Sequence, residues 1–342
     1  MLALGKWLEL TLAGREPTEK IQLTAKGVKL HWLAEGALQI LPPAAADIGL
    51  DLVLSAGVHG NEVLPIQVLD ELVRAIARGE LVPRVRLLCL LGNPGAVRRG
   101  VRYLETDLNR LFAGAHAEAG GNEAFRAAEL ERLVRSFFAD AARDRCHLDL
   151  HSVMRASRLA QFAICPATQG AGRGNCLDRE ETTAPTASAR ALIRLRTLGL
   201  AGAVLQERPA PTFSAHTASA HQAEAYTLEL SEAPSLAAFE RRLWRLVAGA
   251  PMEAPSGEPP VLFRVTQEVV RTRGPFRLCL PEAIENFAPL PRGTLLAEET
   301  GGQRWLVEDD EARVLFPMAQ VAVGQRAVLV VVPCAVETLA PA

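Results

Sequence analysis

Leu52-Val53-Leu54 leads into His59-Gly60-Asn61-Glu62, and a second short apolar segment, His147-Leu148-Asp149-Leu150, ends on His151. Both apolar runs have the character of buried strands, and each delivers a histidine where its strand gives out. In open α/β sheets, ligands bind along that edge. A histidine and a glutamate three positions apart, joined by a distant histidine, form a two-histidine, one-carboxylate set. Such a set holds a catalytic zinc and leaves one coordination position open. His59, Glu62 and His151 are therefore the candidate ligands, for one zinc ion per chain. Val63 stands where a helical His-Glu-x-x-His motif has its second histidine, and Gly60-Asn61 favours a turn, so this is a different arrangement. Taken alone, the four residues fit an ordinary exposed turn equally well.

Outward from this stretch, strand and helix signals alternate. Val63, Ile66, Leu69, Leu72, Val73 and Ile76 form a helical stripe that stops at Gly79. Val85 to Leu91 is nearly all apolar, as a strand buried on both faces must be. Asn122 opens a helix with Phe125, Leu130, Leu133, Phe137 and Phe138 expected on its apolar face. Leu148 to His151, Phe162 to Cys165 and Tyr226 to Leu230 read as strands, and Ser235 caps a helix running to Val247. Alternation of this kind predicts an α/β fold with a mixed sheet covered by helices. Residues 1–48, including Trp7 to Leu12 and Val28 to Leu33, read as short strands preceding it. Residues 251–260, rich in proline, glycine and serine, read as a linker. The expected organisation is thus a catalytic domain over 1–250 and a small all-β domain over 261–342.

Composition narrows the function classes. The chain has 342 residues, 49% of them hydrophobic, enough for a large core. A net charge of −2 gives no general attraction to nucleic acid or to an anionic membrane. No run reaches the length of a membrane span. The N-terminal residues make a poor signal peptide, and six scattered cysteines without a Cys-x-x-Cys pair suit buried thiols in a reducing compartment. A cytoplasmic protein is expected, and a homo-oligomer is compatible with the sequence. Gly170-Ala171-Gly172-Arg173-Gly174 lacks the lysine of a phosphate-binding loop and reads as a plain loop.

Three further elements bear on chemistry. Glu229 lies in Tyr226-Thr227-Leu228-Glu229-Leu230, on an expected core strand. Burial there raises a carboxylate's pKa toward the range of a general base, unless the strand end simply points to solvent. Residues 93–112 follow a buried strand and are dense in arginine, asparagine and aspartate, as a clamp on an acidic substrate would be. Asp149, two residues before His151, either orients that ligand or accepts a strand-end hydrogen bond.

In this order, His59-Gly60-Asn61-Glu62, Asn93-Pro94, Arg102-Tyr103-Leu104, Asp107-Leu108-Asn109-Arg110-Leu111-Phe112, Asp149-Leu150-His151 and Thr227-Leu228-Glu229-Leu230 resemble the succinylglutamate desuccinylase/aspartoacylase family of the zinc carboxypeptidase superfamily. A weaker likeness runs through Glu285 to Ala297. The resemblance implies a carboxypeptidase-like catalytic domain with His59, Glu62 and His151 on zinc and Glu229 activating the attacking water. It places Arg102 near the scissile carbonyl, and Asn109 and Arg110 on a substrate carboxylate. Arg155 and Arg158 are either further carboxylate contacts or surface charges. The implied reaction is hydrolysis of N-succinyl-L-glutamate to succinate and L-glutamate, the last step of arginine catabolism by the succinyl route. Alternatives are deacylation of another N-acyl amino acid such as N-acetylaspartate, or a zinc-containing binding protein without turnover. Ser231 departs from the family's usual glycine, and Ala167 to Pro185 matches no part of its pattern.

Overall fold

The chain begins with helix α1 (Trp7–Leu12), followed by antiparallel strands β1 (Ile21–Leu23), β2 (Lys29–Ala34) and β3 (Ala37–Leu41). The computed structural model describes residues 2–167, 187–206, 208, 210–231, 235–251, 259–335 and 338–339. Trp7 to Leu12 was expected as a strand, and here the structure corrects the sequence. Trp7 and Thr11, four apart, are both buried, and the Thr11 hydroxyl donates to the Trp7 carbonyl at 2.8 Å. That spacing is one face of a helix.

Next come β4 (Leu50–Ala56), α2 (Val63–Arg78), β5 (Arg86–Leu91), α3 (Pro94–Arg99), α4 (Asn122–Phe137), β6 (Asp144–Ser152) and β7 (Phe162–Cys165). After them lie β8 (Ala187–Ser188), α5 (Ala189–Leu198), β9 (Gly202–Leu205), α6 (Phe213–His221), β10 (Glu224–Leu230) and α7 (Ser235–Val247). The C-terminal part supplies β11 (Val261–Val270), β12 (Phe276–Leu278), β13 (Leu295–Glu299), β14 (Gln303–Leu306), β15 (Arg313–Leu315), β16 (Arg326–Pro333) and β17 (Thr338–Leu339).

Twelve strands form one mixed sheet in the order β1-β2-β3-β5-β4-β6-β10-β7-β9-β11-β16-β15, with β5, β4, β6 and β10 parallel. Every residue of β4 and β10 is buried, and polar ones among them, Asp51, Ser55, Glu224 and Thr227, meet Arg143, Asp149, Arg194 and Ser214. Side chains alternate between two packed layers. Leu52 and Leu54 join α2, α5 and α7 residues such as Leu69, Leu195 and Phe239 on one face; Val53 joins Leu130, Val134 and Phe213 of α4 and α6 on the other. The predicted stop of α2 is borne out: Gly79 adopts a left-handed φ of 77° that glycine takes without strain. Phe125, expected on the apolar face of α4, is 79% exposed. The buried stripe runs through Ala124, Ala127, Leu130, Val134 and Phe137, and Phe125 falls outside it.

Strands β12–β14 make a separate antiparallel sheet, while β11, β15 and β16 extend the large one. A distinct cluster around Val269, Leu296, Val314, Val328 and Val330 packs this region. Of the linker at 251–260, residues 252–258 lie outside the described residues, as do residues 168–185 of the Ala167–Pro185 stretch, including the glycine-rich loop, and Cys176. Among the described residues, no helix is long and apolar enough to cross a membrane.

Candidate active site

The chain leaves β4 toward β5 on one side and later returns through β6 on the other, so the sheet order switches direction at β4. The crevice beyond the carboxyl ends of strands at such a switch is the favoured place for a ligand. His59 follows the end of β4, and His151 lies near the end of β6. The His59–Glu62 turn rests on the start of α3. A Cβ at Gly60 would lie 2.2 Å from the Ala96 carbonyl carbon, so only glycine permits this approach. The Gly60 amide donates to the Arg102 carbonyl at 3.1 Å, which draws the 93–112 segment to the same place.

Glu62 is the centre of the cluster. Its Oε1 lies 2.8 Å from His59 Nδ1 and its Oε2 lies 3.0 Å from His151 Nδ1 and from the donating Ser152 amide. One donor atom from each of His59, Glu62 and His151 lies within 4.8 Å of the other two, and all three residues are buried. Tetrahedral ligands at zinc distances sit about 3.3 Å apart, so modest side-chain movement would fit them around one ion. Two imidazoles and one carboxylate are a donor set for a divalent transition ion.

The far nitrogen of each histidine meets an aspartate. His59 Nε2 lies 3.0 Å from Asp107 Oδ1, and His151 Nε2 lies 3.0 Å from Asp149 Oδ2. Carboxylate–histidine pairs of this kind fix the ring and its tautomer. The alternatives left open for Asp149 thus resolve toward orienting His151. Sequence reasoning gave Asp107 no role, although it opens the Leu108–Arg110 turn by accepting from the Asn109 amide at 3.0 Å. The chain of contacts continues inward: Asp149 Oδ1 accepts from Ser55 Oγ at 2.5 Å, Ser55 Oγ meets His147 Nε2 at 2.8 Å, and His147 Nδ1 meets Thr217 Oγ1 at 2.8 Å.

Charges follow from this packing. Burial works against ionising Glu62 and Asp107, but their histidines outweigh it and hold both carboxyls well below the usual range. Burial opposes the charged His151 imidazole, yet Asp149 and Glu62 together keep it well above its ordinary value. Glu229 is the opposite case. It pairs in register with His151 across β10 and β6, and burial pushes its carboxyl up to about 8, with His151 acting against burial and Glu62 reinforcing it.

The remaining predicted residues surround this cluster in different ways. Arg102 places its guanidinium 3.5 Å from Glu62 Oε1 and 3.7 Å from Asp107 Oδ2, at the edge of the cluster. Asn109 is buried, and its Oδ1 accepts from the Phe213 amide at 2.9 Å. Arg110 is exposed, with NH1 donating to the Asn109 carbonyl at 2.8 Å. Arg155 donates through NH1 to the carbonyls of Glu282 and Ile284, tying the loop after β6 to the C-terminal domain. Arg158 is exposed beside Glu285. Residues 94–99 form helix α3, capped by the Asn93 side chain with Pro94 at its first position. Ser231 donates through Oγ to the Ala160 carbonyl at 2.6 Å, which a glycine could not do.

Comparison with known proteins accounts for this arrangement. Residues 48–245 match the succinylglutamate desuccinylase/aspartoacylase catalytic domain, and residues 258–334 match the AstE/AspA barrel-sandwich hybrid domain. The chain belongs to the succinylglutamate desuccinylase/aspartoacylase family. Among its relatives in the family, a succinylglutamate desuccinylase of Pseudomonas paraeruginosa is 51% identical over 344 residues, spanning 97% of this chain and 99% of the relative. One from Pseudomonas syringae pv. tomato is 47% identical, spanning 99% of this chain and all of the relative. Solved structures of succinylglutamate desuccinylase from Vibrio parahaemolyticus and Chromobacterium violaceum superpose with TM-scores of 0.83 and 0.79 at 28% and 32% identity. They cover 96% and 97% of this chain, and 94% and 98% of their own. The family's carboxypeptidase-like catalytic fold and C-terminal hybrid domain are thus both present.

Proposed function

We propose that this chain is a zinc-dependent amidohydrolase that cleaves N-succinyl-L-glutamate to succinate and L-glutamate. The observation that carries the chemistry is the buried Glu229 carboxylate, in register with His151 at the rim of a two-histidine, one-carboxylate cluster. Likeness to succinylglutamate desuccinylases across nearly the whole chain supports the substrate.

His59 and His151, through Nδ1, and Glu62 would hold the zinc. When bound there, zinc supplies Lewis-acid polarisation of the scissile carbonyl and lowers the pKa of an attacking water. Asp107 and Asp149 hold the two imidazoles in the orientation that turns Nδ1 toward Glu62. Glu229 takes the proton from the attacking water and delivers it to the departing glutamate nitrogen, leaving the carboxylate free for the next cycle. Its ionised form is the competent base, and a dication nearby favours that form. Arg102 offers N–H donors to the oxygen that becomes negative as the carbonyl carbon turns tetrahedral. Asn109 and Arg110 grip the terminal carboxylate of the succinyl group. Arg155 we assign to holding the pocket wall, because the Glu282 and Ile284 carbonyls already occupy its NH1.

The test is release of free amine from a panel of N-acyl amino acids. N-succinyl-L-glutamate should exceed N-acetyl-L-aspartate in kcat/KM by about 100-fold or more, as a charged partner left unpaired predicts. Comparable rates on both, or turnover of neither, would overturn the assignment.

A further inference from the structure

Glu123 lies in the first turn of α4 and is 2% exposed, yet among the described residues no basic side chain pairs with it. Other buried acids are matched by a cation: Asp51 by Arg143, and Glu224 by Arg194. A carboxyl group withdrawn from water is costly to keep unless its oxygens are engaged. Glu123 engages one of them. Its Oε1 accepts from the Leu104 amide at 2.7 Å, the Asn93 side-chain amide at 3.2 Å and the Glu105 amide at 3.4 Å. Its Oε2 is buried and accepts no hydrogen bond among the described residues.

What these donors share is their place around Arg102. Residues 101–107 belong to no helix or strand, so no regular backbone ladder fixes them. The ties lie on either side of Arg102. Before it, the Arg102 carbonyl accepts from the Gly60 amide at 3.1 Å, which joins the segment to the His59–Glu62 turn. After it, Glu123 holds Leu104 and Glu105. Through Asn93 the same oxygen reaches α3, where Asn93 Oδ1 accepts from the amide of Ala96, the residue on which Gly60 rests. The Arg102 guanidinium meets Glu62 and Asp107 only at 3.5 and 3.7 Å, beyond ordinary hydrogen-bond length, so its backbone has to aim it.

We propose that Glu123 is a positioning residue for the reaction, acting through Arg102: from the rigid end of α4 it fixes the segment that aims this guanidinium at the scissile carbonyl. The part played by Arg102 rests on the hydrolysis proposed above; the grip of Glu123 on the Leu104 and Glu105 amides does not. A donor to a developing oxyanion must be in place before the charge appears, and a displacement of about 1 Å costs on the order of 100-fold in rate. Asn109 and Arg110 lie past this segment, in a turn held by Asp107 and by the Phe213 amide. Loss of Glu123 therefore acts on kcat and spares KM.

The test is a double-mutant cycle on the zinc-loaded protein, with Glu123→Ala made in the parent and in Arg102→Ala, alongside hydrogen exchange at the Leu104 and Glu105 amides. In the parent, kcat for N-succinyl-L-glutamate should fall about 10–100-fold with KM changed less than about threefold and bound zinc unchanged. In the Arg102→Ala background the same substitution should change kcat less than about twofold. Exchange at both amides should quicken. Glu123→Gln keeps an accepting oxygen and should lose only about threefold in kcat, a loss that must also vanish in Arg102→Ala, so it serves if the Ala protein does not fold. An equal loss in both backgrounds, a loss carried by KM, or unchanged exchange overturns the proposal. Faster exchange at both amides, in a protein whose parent does not hydrolyse N-succinyl-L-glutamate, would instead overturn the activity.

Discussion

Glu229 and His151 are direct neighbours, paired in register on the parallel strands β10 and β6. The same burial acts on both with different outcomes. His151 has two carboxylates against it and is held as a cation, whereas Glu229 makes no such contact and is pushed toward its neutral form. A ligating imidazole is neutral, so zinc entering the cluster would displace the His151 proton, and its positive charge would favour the ionised form of Glu229 beside it.

Glu229→Gln preserves the shape of this neighbour and removes the proton acceptor. Turnover should fall about 10²–10⁴-fold while bound zinc stays at its original level. Metal analysis and kcat on the same preparation check this. Near-normal kcat would place the base elsewhere. Glu224 is a poor substitute, since it is buried in an ion pair with Arg194 at 2.6 Å.

Asp107→Asn and Asp149→Asn keep the size of the residues behind His59 and His151 and remove their charge. Each should weaken zinc binding about 10–100-fold, as loss of a histidine's carboxylate partner does. Competition against a chelator of known affinity measures it, and unaltered affinity in both variants would remove these aspartates from the account.

His147 gives the fold a defined acid sensitivity. Burial pushes its imidazole down to about 4, so between the ordinary histidine value and pH 4 the unfolded chain binds a proton the folded chain refuses. Stability must therefore fall as pH drops through that window. The contribution is on the order of 2 kcal/mol lost between pH 7 and pH 5. His147→Gln removes the titrating group, so the metal-free variant should show a smaller pH 7 to pH 5 loss in unfolding free energy than the metal-free parent. Identical pH dependence in the two proteins would show that His147 does not titrate this way.

Much of this architecture can be read from sequence because apolar runs such as Leu52 to Leu54 and Leu87 to Leu91 mark strands buried on both faces, and polar residues follow where the runs end. His59, Glu62 and His151 stand at such ends. Helix α1 was misread because six residues are too few to separate alternation from helical spacing until Trp7 and Thr11 are seen on one face. Asp107 had no visible role because its partner, His59, is 48 residues away. Arginines were hardest of all. Sequence ranks them by nearness to motifs, which favoured Arg155, but only the fold reveals that its NH1 goes to the backbone carbonyls of Glu282 and Ile284. Charge is legible in a sequence; the direction in which it points is not.

The most direct test of the central claim is a zinc titration of the metal-free protein with N-succinyl-L-glutamate as substrate. If His59, Glu62 and His151 hold one catalytic ion, glutamate release should rise linearly and level off at one zinc per chain. In the His59→Ala, His151→Ala double variant it should stay at background across the titration. Full turnover without zinc, or a double variant that still binds one zinc tightly and works normally, would contradict the account.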